Sequence, residues 1–144
     1  MSKASNIAAA LAAQLALITT ANGFETNIGS RVYRGLRKLD TDKIPCAILA
    51  EGDDDVKSMQ PGVANITQTY IIEGHAACDP ENPNDAAHAI IADIKRTLFA
   101  EGVEYGCREI YYVGRTIAPR EDGMAIVSAS VIVQMSFAEK LATP

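Results

Sequence analysis

The chain has no tryptophan, two histidines, three cysteines and more acidic than basic residues, and each shortage removes a class of function. With only His75 and His88 there is little imidazole for proton transfer, and no G-x-S-x-G or H-E-x-x-H is present. The phosphate-cradling G-x-x-x-x-G-K-[ST] and a G-x-G-x-x-G between a strand and a helix are also missing. Ser58 and Ser128 are conceivable nucleophiles, with nothing near them in sequence to activate either. Cys46, Cys78 and Cys107 are odd in number and form no C-x-x-C, which argues against a disulfide framework and a zinc ribbon and suits a reducing compartment. A net charge of −5 disfavours nonspecific binding to nucleic acid, whose phosphates repel the chain as a whole. No apolar run approaches the roughly 20 residues of a membrane span.

What is present is the composition of a globular protein: 144 residues, 48% of them hydrophobic and 22% charged. That length fits one domain over 1–144, which buries roughly 68–70% of its unfolded surface. The opening MSKASNIAAALAAQLALITTANG imitates a secretory signal in Lys3 and its Ala/Leu run. Gln14 interrupts that run, and Ile7, Leu11, Leu15 and Ile18 form one stripe of an amphipathic helix. The spacing predicts a helix from about Ser5 to Thr20, with Ser2 or Ser5 as N-cap and Asn22-Gly23 as its left-handed stop.

Beyond it, Val32–Leu36 reads as a short strand or extended arm, and Ile44–Ala50 as an apolar strand opened by Pro45. Asp53–Asn65 reads as a polar loop punctuated by Gln60-Pro61-Gly62, and Ile66–Ala76 as a strand. Asn82 and Pro83 mark a helix start, with Asp85 near its positive end. Ala87, Ile90, Ile91, Ile94 and Leu98 give that helix its apolar stripe, with Asp93, Lys95 and Arg96 on the opposite face and Gly102 as its end. Arg108–Ile117 and Gly123–Phe137 read as two strands joined through Pro119-Arg120-Glu121-Asp122-Gly123. In the second, odd residues from Ala125 to Phe137 are apolar, while Ser128, Ser130, Gln134 and Ser136 take the other face with Ile126 and Ile132. The order predicts an α+β domain: a mainly antiparallel sheet of four to five strands, with two main helices on one face.

Four groups of residues are candidate sites. His75, Cys78 and His88 have atoms suited to zinc, with Asp79 or water needed as a fourth ligand; two unrelated histidines are the plainer reading. Asp53, Asp54 and Asp55, with Asp40 and Asp42, offer oxygen ligands to a hard cation but lack the EF-hand pattern, so a solvated acidic loop is preferred. Arg115 and Arg120 could clamp a carboxylate or phosphate, or simply be exposed.

The fourth group is RVYRGLRKL, which places Arg31, Arg34, Arg37 and Lys38 in an otherwise acidic chain, with EGDDD at Glu51–Asp55 soon after. At strand spacing its cations fall on both faces, so the segment cannot lie between two cores. It is an edge guarded by charge, a contact strip for an acidic protein surface, or a nucleic-acid contact. Separate patches of opposite sign suit head-to-tail pairing with a copy, which generates rings.

At this point the chain resembles a known family. The Ala/Leu-rich first helix, R-V-Y-R-G, Ile44-Pro45 in I-P-C-A-I-L, TQTYIIEG, the I-x-x-D-I-K helix and YYVGRTIAPREDG-MAIVSASVIVQMSF resemble the tail-terminator (minor tail protein U-like) family of long-tailed bacteriophages, over nearly the whole chain. The resemblance implies an α+β subunit of a hexameric ring, without catalysis or cofactor. Such a ring sits at the head-proximal end of the tail tube, ends tube growth and docks the head connector. It implies partners in itself, the tail-tube protein and neck proteins, and a place in the virion after assembly in the bacterial cytoplasm, with no membrane and no specific nucleic acid. A head-closure or tail-completion protein is the neighbouring expectation, and a small metal-binding or enzymatic domain using His75, Cys78 and His88 the one from another class.

Overall fold

The computed structural model describes residues 1–35, 38, 40–120 and 123–144. They form α1 (Lys3–Leu15), β1 (Val32–Arg34), β2 (Cys46–Gln60), β3 (Val63–Ala77), α2 (Pro83–Leu98), β4 (Glu109–Ile117) and β5 (Ile126–Lys140), with short 3-10 turns at Thr20–Asn22, Ile28–Ser30 and Thr41–Lys43. The fold is α+β, with one five-stranded sheet in the order β1-β2-β3-β5-β4. All neighbours are antiparallel except β1, which lies parallel to β2 over Ala47–Leu49.

One face of the sheet carries the helices. Ala47 and Leu49 of β2, Ala64, Ile66, Tyr70 and Ile72 of β3, and the odd residues Val127–Phe137 of β5 pack into one cluster with Ile7, Leu11 and Leu15 of α1 and Ile90, Ile94 and Leu98 of α2. Each fully buried Leu or Ile contributes about 1.5–3 kcal/mol, so this face holds most of the stabilising burial. The helices approach closely because two glycines make room. A Cβ on Gly74 would run into Ile90, and one on Gly29 into the backbone of Leu15 and Ile18. The period-2 pattern of β5 reads directly into its burial, alternating between buried and half-buried from Ile126 to Phe137.

Several expectations need correction. Ser2 is the N-cap, its hydroxyl accepting from Ser5 N at 3.1 Å. α1 stops at Leu15, however, and Ile18 reaches the core from a turn in which its N–H bonds to the Leu15 carbonyl. Gly23, at φ +86°, closes the 3-10 turn at Thr20–Asn22, where Asn27 Oδ1 accepts from Thr20 N at 2.9 Å. The weak strand is three residues long; Leu36 lies outside the described residues.

The largest correction concerns the polar loop expected at Asp53–Asn65. β2 runs through it to Gln60, and Pro61-Gly62, with Gly62 at φ +74°, turns the chain straight into β3. Three consecutive aspartates have low strand propensity, yet β3 is paired along its whole length by β5 and offers its other edge as a template. Two register shifts, Glu51/Asp54 and Val56/Ser58, absorb the misfit.

α2 begins at Pro83 as expected, although the Asn82 side chain donates to Asp85 Oδ2 at 2.6 Å instead of capping the helix amides. The helix ends at Leu98, and Gly102 lies in the turn that follows. Asp93, expected on the solvent face of α2, is fully buried. Its carboxylate accepts from Glu25 N at 3.1 Å, Thr26 N at 2.7 Å and the Thr26 hydroxyl at 2.8 Å, so it anchors the run leading to β1. Helical spacing cannot reveal this, because the covering segment comes from elsewhere in the chain. The strands expected at Arg108–Ile117 and Gly123–Phe137 are Glu109–Ile117 and Ile126–Lys140; Glu121 and Asp122 in their connection lie outside the described residues. No described helix is long and apolar enough to cross a membrane.

Candidate interaction edges

An open sheet has two edges, and here they differ. One is β2, and β1 covers only its first turn of pairing: Arg31 O accepts from Ala47 N at 2.8 Å, and Gly35 N donates to Leu49 O at 2.8 Å. Gly35 takes φ +95°, and past it nothing among the described strands pairs with the outer side of Glu51–Gln60. The other edge is β4, which among the described strands pairs with β5 alone.

The structure sorts the cations of the RVYRGLRKL run. Arg31 Nη1 donates to the Pro45 carbonyl at 3.4 Å, Arg34 is exposed at the end of β1, and Lys38 is exposed. Arg37 lies outside the described residues. Asp53, Asp54 and Asp55 are exposed along the bare part of β2, where Asp55 meets Lys57 Nζ at 2.6 Å. The expected acidic loop is therefore an acidic strand edge. Arg34 and Glu51 both act on the Tyr70 hydroxyl, so the two signs follow one another along this edge. Burial, and then Glu51 and Cys107, push the Tyr70 phenol up to about 12, with Arg34 opposing. That hydroxyl is buried without a hydrogen-bond partner among the described residues.

Arg115 and Arg120 have separate partners. Arg115 lies in β4 and places Nη1 3.1 Å from His88 Nδ1 of α2. Arg120 donates to the Met124 carbonyl and, from Nη2 at 3.1 Å, to that of Pro80. β4 also carries Glu109 and follows Arg108, whose Nη1 donates to Asn65 Oδ1 at 3.4 Å. Both edges carry large exposed apolar side chains, Val56 and Met59 on β2 and Tyr111, Tyr112 and Val113 on β4, while Met1, Leu17, Phe99, Met124 and Leu141 are exposed elsewhere.

The zinc trio is dispersed. His88 faces Arg115, Cys78 Sγ lies 3.7 Å from the Met124 carbonyl, and His75 faces Ser128. Among the described residues no group of three His, Cys, Asp or Glu side chains could hold a metal ion, and this includes the aspartates of β2.

Sequence reasoning left Ser128 without an activator, and the sheet supplies one. β3 and β5 pair His75 with Ser128, placing His75 Nδ1 2.5 Å from Ser128 Oγ, while His75 Nε2 lies 3.4 Å from Glu73 Oε2. A base thus touches a hydroxyl and a carboxylate touches the base. A nucleophile also needs donors for the developing oxyanion. β5 is paired on both sides, and Ser128 O already accepts from Ala118 N at 2.9 Å, so the amides around it are committed to the ladders. Two concavities, of about 420 Å³ at Val103–Ile110 and 490 Å³ beside Lys38, Asp40, Thr41 and Lys43, do not contain this pair. The Cys107 thiol in the first is pushed up by burial, away from the reactive thiolate. No protein-family model matches the chain, and no curated protein matches it in sequence.

Proposed function

We propose that this chain is a structural assembly protein, the subunit of a closed ring of the tail-terminator kind. Its work would be to cap the head-proximal end of a bacteriophage tail tube, end tube growth and offer a docking surface to the head connector. One observation carries the assembly reading: a single small sheet has two open edges of unlike character, each bearing exposed apolar side chains. The β2 edge beyond Ala50 has four carboxylates, Glu51 and Asp53–Asp55, against Lys57 alone. Such edges pair head-to-tail, and a head-to-tail contact closes into a ring when the rotation allows. Assignment to the tail rests on the resemblance of R-V-Y-R-G, Ile44-Pro45 and the I-x-x-D-I-K helix, and a neck protein of the same virion shares that support.

Negative-stain imaging of the purified protein, alone and co-expressed with the tube protein of its virus, tests both levels. The expected result is a ring of about six subunits alone, and short capped tubes in the co-expression. Solitary subunits at high concentration, with tubes of unregulated length, would overturn the reading.

A further inference from the structure

The sheet's own alternation points to how such a ring closes. In the order β2, β3, β5, β4 each strand runs antiparallel to the one before, so a β2 edge placed beside β4 continues the same alternation. We propose that β4 of one subunit pairs antiparallel with the bare part of β2 of the next copy, making one sheet that runs through the ring. This rests on the assembly reading above and adds its interface.

Three features fit. First, length: β1 blocks β2 only at Ala47–Leu49, leaving the ten residues Glu51–Gln60 for the nine of β4. Second, register: aligning the two centres sets Val113 opposite Val56, Arg115 opposite Asp54 and Ile110 opposite Met59. Facing follows from the existing pairs. Asp54, Val56 and Met59 share the helix side through Gln68, Ile66 and Ala64, and Arg115 and Ile110 share it through Val131 and Met135. Like faces therefore meet like faces, and the irregularity at Tyr112/Gly114 in β4 comes level with that at Val56/Ser58 in β2. Each strand holds an extra residue at the same height, so neither bulge need disrupt the ladder.

Third, charge selects the partner. Two acidic β2 edges repel one another, which keeps this edge from pairing with its own kind. Arg115 and Arg108 on or beside β4 give the acidic run a favourable neighbour, and Arg115 can exchange its His88 contact for Asp54. The contact buries Val56, Met59, Tyr111 and Val113, each more than two-fifths exposed in the single subunit. An amphipathic sheet edge with unpaired backbone groups then becomes interior.

Disulfide trapping tests the register, since only strands in contact bring two Cα atoms within about 4.4–6.8 Å. The double variant Val56→Cys/Val113→Cys, made with Cys78→Ser and Cys107→Ser, should oxidise to a ladder of covalent oligomers ending at the ring. A mixture of the two single variants should give only dimers joining one of each. Arg115→Glu should lower the yield about tenfold, and adding Asp54→Arg should restore it. Rings by native mass spectrometry without a trapped ladder would place the interface elsewhere and leave the assembly reading standing. Dimers from the Val113→Cys variant alone would show β4 pairing with its own copy and overturn the proposal. A protein monomeric throughout would overturn both.

Discussion

The two halves of β2 belong to one strand and have opposite fates. Cys46–Ala50 is buried on both faces, whereas Glu51–Gln60 has its side chains largely in solvent. Both halves pair with β3, so hydrogen bonding does not separate them. The difference lies on the outer side and on the two faces: β1 covers the first half, and α1 contributes to the core beneath it, while the second half has neither. A strand that β3 alone carries for ten further residues, through two register shifts and without a core beneath it, is the surface that the proposed neighbouring copy would cover.

That contrast can be broken at its buried end. Leu49→Ala removes a side chain that is 1% exposed and should cost up to about 5 kcal/mol in urea unfolding. Next comes the anchor that delivers β1 to the covered half. Asp93→Ala should cost about 3 kcal/mol by orphaning the Glu25 and Thr26 donors, and should speed amide exchange at Ala47 and Leu49 more than at Ile72.

Tyr70, opposite Glu51, marks the boundary between the halves. Its hydroxyl has no partner among the described residues, so Tyr70→Phe should be neutral or stabilising by about 1 kcal/mol. The phenol keeps its proton to about 12 in the folded chain, against 10 in the unfolded one, so the folded state binds more protons in between. Stability from this group is complete below pH 10 and is lost as pH rises towards 12. Alkaline unfolding should therefore be shallower in Tyr70→Phe, with Tyr105, also raised by burial, sustaining the remaining slope. The smallest effect belongs to the exposed half. Val56→Ala should change subunit stability by less than about 0.5 kcal/mol while weakening assembly, a separation that Leu49→Ala cannot produce.

How far the sequence was readable follows the same division. Where apolar residues carried a period, as in β5 and α2, the elements and their buried faces could be named in advance. Ser2 and Pro83 announced helix starts because capping is local chemistry. The long arm of β2 could not be read, because DDD signals a loop and the reason for its strand is β3, paired to it from across the turn. Asp93 and the Ser128–His75–Glu73 contact were hidden likewise, each depending on a neighbour distant in sequence. Of the charged candidates, Arg31, Arg34 and Asp53–Asp55 do fall together on one edge. Arg115 marks the opposite edge, and Arg120 is turned to the Pro80 and Met124 carbonyls.

The most direct test is amide hydrogen exchange along β2, followed from dilute to concentrated protein. Ala47–Leu49 should be protected at every concentration, while the amides of Asp53–Met59 that point away from β3 should exchange quickly in the dilute subunit and slow sharply as the assembly forms. Outward-facing arm amides that stay equally fast in an assembled particle, or that are already slow in an isolated subunit, would contradict the claim that this half of the strand is left open for a neighbouring copy.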